Sequence, residues 1–283
     1  MSTVRATPSA PSAVAPKGLV RTVLRLHRTA LIVWAVFVLG TTCYLVWLTE
    51  VTADSVYETQ AACLRNGGTF CGLTEAGDYA APMSWISTFF SYSFWAVAAW
   101  AGGALIGREL ESGTARLAWT QSVTPTRWLA AKLAVPALLI VVGGAVFVPV
   151  YRWAWSAHRN LMTDNWSYPD VFAARGPAVV AYGLCALAVG TLAGLALRRS
   201  LPALAVSVAV MVVLNQTIER YGEDFWPTVN NGWPPEDLWL TRDGTYHSPS
   251  QFWPMHLAET GIILTLTALA TTAAFCLLRR RTA

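Results

Sequence analysis

Charge is what this chain has least of. Only 13% of its 283 residues are Asp, Glu, Lys or Arg, and just two are lysines, Lys17 and Lys132. A soluble globular domain carries roughly 25% charged residues, so composition excludes an ordinary water-soluble fold. Neither lysine stands in a Gly-x-x-x-x-Gly-Lys-Ser/Thr loop, so the chain has no phosphate cradle for ATP of its own. No serine stands in a nucleophile motif and no acid–histidine spacing forms a catalytic set, so the chain is not read as an enzyme. The basic residues form small clusters at the ends of apolar runs, which argues against nucleic acid as a partner. No grouping of Cys and His supplies enough ligands for a metal.

What is present is apolar surface: 54% hydrophobic residues and a mean hydropathy of +0.43. Crossing a bilayer takes about 20 predominantly apolar residues, and six segments qualify, at about 29–49, 86–107, 128–151, 176–197, 201–218 and 257–278. This predicts an all-α membrane protein with one six-span domain over 17–283. The Pro/Ser/Ala-rich tail 1–16 ahead of it reads as disordered. Only Arg198, Arg199 and Ser200 separate the fourth and fifth spans, which predicts a tight helical hairpin. Fourteen of the 20 basic residues fall in 1–28, 108–132, 198–200 and 279–281. Basic flanks stay inside, so both termini and segment 108–132 are expected in the cytoplasm. Loops 50–85 and 219–255 each carry a net charge of −4 and are expected outside. Lys17, Arg21, Arg25 and Arg28 share one helical face, with Leu19, Val20, Val23 and Leu24 opposite, as in a helix lying on the inner leaflet of the lipid bilayer.

The polar segment Arg108–Lys132, RELESGTARLAWTQSVTPTRWLAAK, sits between two uncharged runs. The second span should continue through Glu109 and Glu111 and break at Ser112-Gly113. A short helix over about Thr114–Ser122 should then present Arg116, Leu117, an exposed Trp119 and Gln121. Thr124 followed by Pro125 is a strong helix start. The plain reading is a solvated loop whose charges fix topology. The acids, the glycine break and the tryptophan favour a docking element.

Glu109-x-x-x-Gly113-Thr114 followed by Arg116-Leu117 resembles the permease subunits of type-2 ABC exporters, and the fuller string is similar to actinobacterial versions. Ala181-Tyr182, Gly190, Gly194 and LRRSLPALAV (197–206) are similar to spans four and five of the same permeases. The resemblance implies a bacterial plasma-membrane protein working with a separate ABC ATPase and a second permease copy or paralogue. ATP and Mg would be bound by that ATPase, with no cofactor on this chain. It also implies that Glu109, Glu111, Gly113, Thr114, Arg116, Leu117, Trp119 and Gln121 couple the two. The long loop 219–255, with Trp226-Pro227 and Trp233-Pro234-Pro235, has no counterpart in that pattern and reads as a small folded cap.

Several residues keep two readings. Cys63 and Cys71, in an acidic loop, form a disulfide or remain free thiols. Gly103-x-x-x-Gly107 and Gly190-x-x-x-Gly194 pack helices within the chain or between copies. Asn215 and Gln216 line a translocation path or bond a neighbouring helix. Glu259, three residues after His256, lines such a path or reaches the headgroups. The leading reading is export of an amphiphile (drug, peptide or lipid) driven by ATP. The rivals are an ion-coupled carrier using Glu259 and His256, and a membrane enzyme or immunity protein acting without an ATPase.

Overall fold

A computed structural model describes residues 16–68, 71, 76–120, 123–162, 165–222, 226–228, 239–240 and 246–282. Six of its helices are long and apolar enough to cross a membrane: Arg28–Arg65, Gly77–Glu111, Pro125–Ala157, Ala178–Leu197, Ser200–Tyr221 and Pro249–Thr282. The described elements are helical apart from one antiparallel pair, β1 (Trp239–Leu240) with β2 (Tyr246–His247). Residues 1–15 of the expected tail, and most of the expected cap with Trp233, lie outside the described residues.

The amphipathic segment forms α1 (Pro16–Leu26), which packs against the helix Pro125–Ala157 and buries Val23. After His27, α2 (Arg28–Trp47) passes through a π-helical turn at Leu48–Thr52 into α3 (Ala53–Arg65). Residues 50–65 were expected in a loop, and the structure corrects this. Charge marks where a helix leaves hydrocarbon, not where it stops, and no Gly or Pro stands between Gly40 and Gly67. There φ reaches +77° and the helix ends. Cys63, in the last turn of α3, is bonded to Cys71 beyond the helix end, with Cα atoms 5.7 Å apart.

The second span is α4 (Gly77–Ser91), a turn at Tyr92-Ser93, α5 (Phe94–Trp100), a π-helical stretch Ala101–Gly107, and α6 (Arg108–Glu111). Then follow α7 (Thr114–Thr120), α8 (Pro125–Ala157) and α9 (Pro169–Ala174). The expected loop 152–175 is therefore largely helical too. The last helices are α10 (Ala178–Leu197), α11 (Ser200–Tyr221) and α12 (Phe252–Thr282).

α10 is apolar all round, and such a helix is buried. It packs against α5, the π stretch, α8, α11 and α12. Two glycines permit the closest approach: a Cβ on Gly190 would lie 2.7 Å from Ala101 Cβ, and one on Gly194 would lie 2.9 Å from Ile106 Cβ. Gly103 and Gly107 likewise face α11 and its Arg199 junction, so both glycine pairs serve packing within the chain. Valines and leucines on the outer faces of α2, α8, α11 and α12, among them Val36, Leu138, Val213 and Leu269, are exposed as lipid-facing residues should be. At about 1.5 Å per residue, the 38-residue helix Arg28–Arg65 is about 57 Å long, against ~30 Å of hydrocarbon. It therefore projects well past the membrane at the disulfide end. Phe37, Phe90, Phe147 and Tyr151 stack in the core toward that end, and the Tyr79 hydroxyl there donates to the Ala154 carbonyl at 2.9 Å.

Candidate coupling site

At the opposite, basic end of the bundle the segment Arg108–Lys132 makes a compact turn. α6 ends because Gly113 adopts φ +76°, a conformation L-residues resist. The Thr114 hydroxyl then donates to the Glu109 carbonyl at 3.2 Å, satisfying one of the carbonyls left open at that end. α8 begins as expected: the Thr124 hydroxyl accepts from the Arg127 N–H at 3.4 Å, with Pro125 in the first turn. Ala115 is buried, whereas Thr114, Arg116, Leu117 and Thr120 are exposed, Leu117 by 61%.

Two residues expected on the docking face are turned inward. Trp119 is only partly exposed; its ring meets Trp128 edge-on at 5.7 Å, because a bulky apolar ring is more stable against α8 than in water. Glu109 faces Lys132, which is 3% exposed and donates to its carboxylate. Lys132 Nζ also lies 2.9 Å from His27 Nε2 and donates to the Leu105 carbonyl at 3.4 Å. A buried ammonium needs such partners, because desolvating it alone costs several kcal/mol. Burial, and then the Lys132 charge, push the His27 pKa down to about 4, so its Nε2 accepts from the ammonium at neutral pH. Glu111 is exposed, yet its carboxylate takes the Ser200 backbone N–H at 2.9 Å and the Ser200 hydroxyl, capping the start of α11. Gln121 lies outside the described residues.

Toward the disulfide end, a cavity of about 590 Å³ opens between α9, α10, α11 and α12. Of the residues expected on a path, Asn215 and Glu259 line it and Gln216 does not. Tyr182 donates to Glu259 at 3.0 Å, and Asn215 to Glu219 at 2.8 Å. Tyr92 donates to Glu219 at 2.9 Å, and Gln216 reaches the same carboxylate at 3.3 Å from the exposed side. Glu219, counted in the expected outer loop 219–255, stands on α11. Its place four residues after Asn215, one helical turn on, was the available signal. His256 is fully buried and does not line the cavity; its Nε2 accepts from the Ala178 N–H at 3.0 Å, satisfying an open donor of α10.

No curated protein and no solved structure matches the chain. The model of the family described as ABC-2 membrane transporter related matches residues 34–221, from within α2 through the turn and the α10–α11 hairpin to the end of α11. That match spans more than half of the sequence, and the chain belongs to the ABC-2 membrane transporter related family, as a multi-pass membrane protein of the ABC permease type.

Proposed function

We propose that this chain is the membrane-spanning subunit of an ATP-driven exporter, and that α7 is its contact with a separate ATPase. One observation carries the reading. The turn that exposes Arg116 and Leu117 is tied at Glu109 to α8 and at Glu111 to α11. A displacement of α7 is therefore passed to the second, third and fifth spans together, as rigid-body coupling requires. The basic clusters support a cytoplasmic position for this end in a bacterial plasma membrane. A second copy or a paralogue would complete the transport path, and ATP and Mg would be held by the partner.

The cavity supports an amphiphilic substrate. Its wall is largely apolar, with Phe172, Trp226, Met255 and Ile262, and it carries two carboxylates, Glu219 and Glu259. Such a wall suits a hydrophobic body with a positively charged end. Co-purification tests the coupling assignment. Leu117→Asp, which disturbs no buried contact, should abolish ATPase binding and transport while the chain still inserts. If Leu117→Asp and Arg116→Glu both keep ATPase and transport at wild-type level, α7 is not the contact. Transport that survives ATP depletion but collapses with the proton gradient would instead favour an ion-coupled carrier using Glu259.

A further inference from the structure

Three arginines far apart in sequence converge at the basic end. Arg116 of α7, Arg198 of the α10–α11 junction and Arg281 of α12 line one cavity of about 200 Å³. Arg281 is accounted for: it donates to the carbonyls of Leu195 and Ala196 at the negative end of α10. Arg116 and Arg198 are not. Between described residues the ion pairs are those of Glu109 with Lys132 and His27, so neither arginine has a carboxylate among them. Trp119 borders the same cavity, with its indole N–H buried behind the ring and without an acceptor. Arg198 also stands where glycine is usual, at φ +54°. A non-glycine residue held in that conformation points to a use for its side chain.

Like charges gathered around a small cavity repel, and every unmatched group here is a donor. The missing component is therefore an acceptor with negative charge. Depth in the membrane narrows the choice. α10 has 20 residues, about 30 Å, which equals the hydrocarbon thickness. Arg198, its next residue, thus lies at the level of lipid phosphates. Leu195 and Leu278 supply an apolar side to the cavity. Basic pockets between spans at this level hold acidic lipid headgroups.

We propose that this cavity binds the phosphate of an anionic phospholipid, held by Arg116 and Arg198 beside the Trp119 ring. The lipid fastens α7 to the ends of α10 and α12. Its occupancy does not depend on the ATPase reading; its effect on coupling rests on that reading.

The test is native mass spectrometry of the detergent-purified chain titrated with dioleoyl phosphatidylglycerol, with dioleoyl phosphatidylcholine as the zwitterionic control. Wild type should retain phosphatidylglycerol selectively. Arg198→Asn, which accepts a left-handed backbone, and Arg116→Gln should each weaken retention about tenfold, the loss of one charged hydrogen bond. Arg198→Lys should restore it in part. Arg199→Gln, a neighbouring loss of charge outside the cavity, should change nothing. Equal loss in Arg199→Gln, or full retention in Arg198→Asn and Arg116→Gln, overturns the proposal. Complete displacement by inorganic phosphate assigns the cavity to a free anion and overturns the lipid source. If Arg198→Asn loses the ATPase but keeps the lipid, the pocket belongs to an acid of the partner, which also overturns it. Leu117→Asp, assayed separately for ATPase binding, shows whether the coupling reading itself has failed.

Discussion

Lys132 is a buried cation with a defined set of neighbours, and its removal and theirs should not be equivalent. Glu109→Ala leaves the ammonium unpaired in a dry site and should cost about 3–5 kcal/mol. The joint change of Lys132→Met and Glu109→Gln removes the unpaired charge and should recover most of that loss, read as thermal unfolding in detergent. His27, which faces both groups, adds a pH term. Its folded pKa of about 4 lies below the ordinary 6.5, so the unfolded chain binds the extra proton first as pH falls. The neutral imidazole therefore contributes stability that is fully present above pH 6.5 and lost as pH falls through about 4. His27→Gln should flatten the unfolding profile across that window; an unchanged slope would show that His27 is not the group responsible.

The elements that matter most here are short. In α7 the exposed face is narrow, and its aim depends on Gly113. Gly113→Ala forces a methyl-bearing residue to φ +76° and should cost about 1–2 kcal/mol. The loss should appear in ATPase co-purification more than in overall unfolding, since α6 and α8 remain anchored. At the other end, Cys63→Ser should lower stability by ~2.5 kcal/mol through loss of loop closure. Non-reduced, unfolded wild type should leave Cys63 and Cys71 unalkylated. Much of this was legible in the sequence: Thr124-Pro125 marked the start of α8, Ser112-Gly113 marked the turn, and the uncharged runs marked six spans. What could not be read was direction. Glu109 looked like a docking acid because its partner, Lys132, lies across a turn and one span away. Trp119 looked exposed because only the tertiary approach of Trp128 gives it a surface to cover. α3 looked like a loop because a polar helix beyond the membrane carries no long apolar run, and α9 because six residues are too few to show a helical period.

Across the whole molecule, charge and length divide the work. The basic end holds α7, the Lys132 site and the arginine cavity, while the disulfide end holds the long helical extensions and the carboxylate cavity. Transport by the complete system should stop when ATP is exhausted, and Glu259→Gln should reduce transport of a permanently charged lipophilic cation such as tetraphenylphosphonium by at least about tenfold. Equal transport in Glu259→Gln would remove that cavity from the path. α8 joins the two ends. It starts at the Thr124 cap, beside the turn that α7 occupies, and runs 33 residues, about 50 Å, to Ala157. The helix runs unbroken through Pro136 and Pro149, and a continuous helix of that length has leverage: pivoted at its root by about 6°, its far tip sweeps roughly 5 Å. A rocking motion too small to disturb packing near the pivot would thus open or shut a gap as wide as an aromatic ring on the opposite side of the membrane.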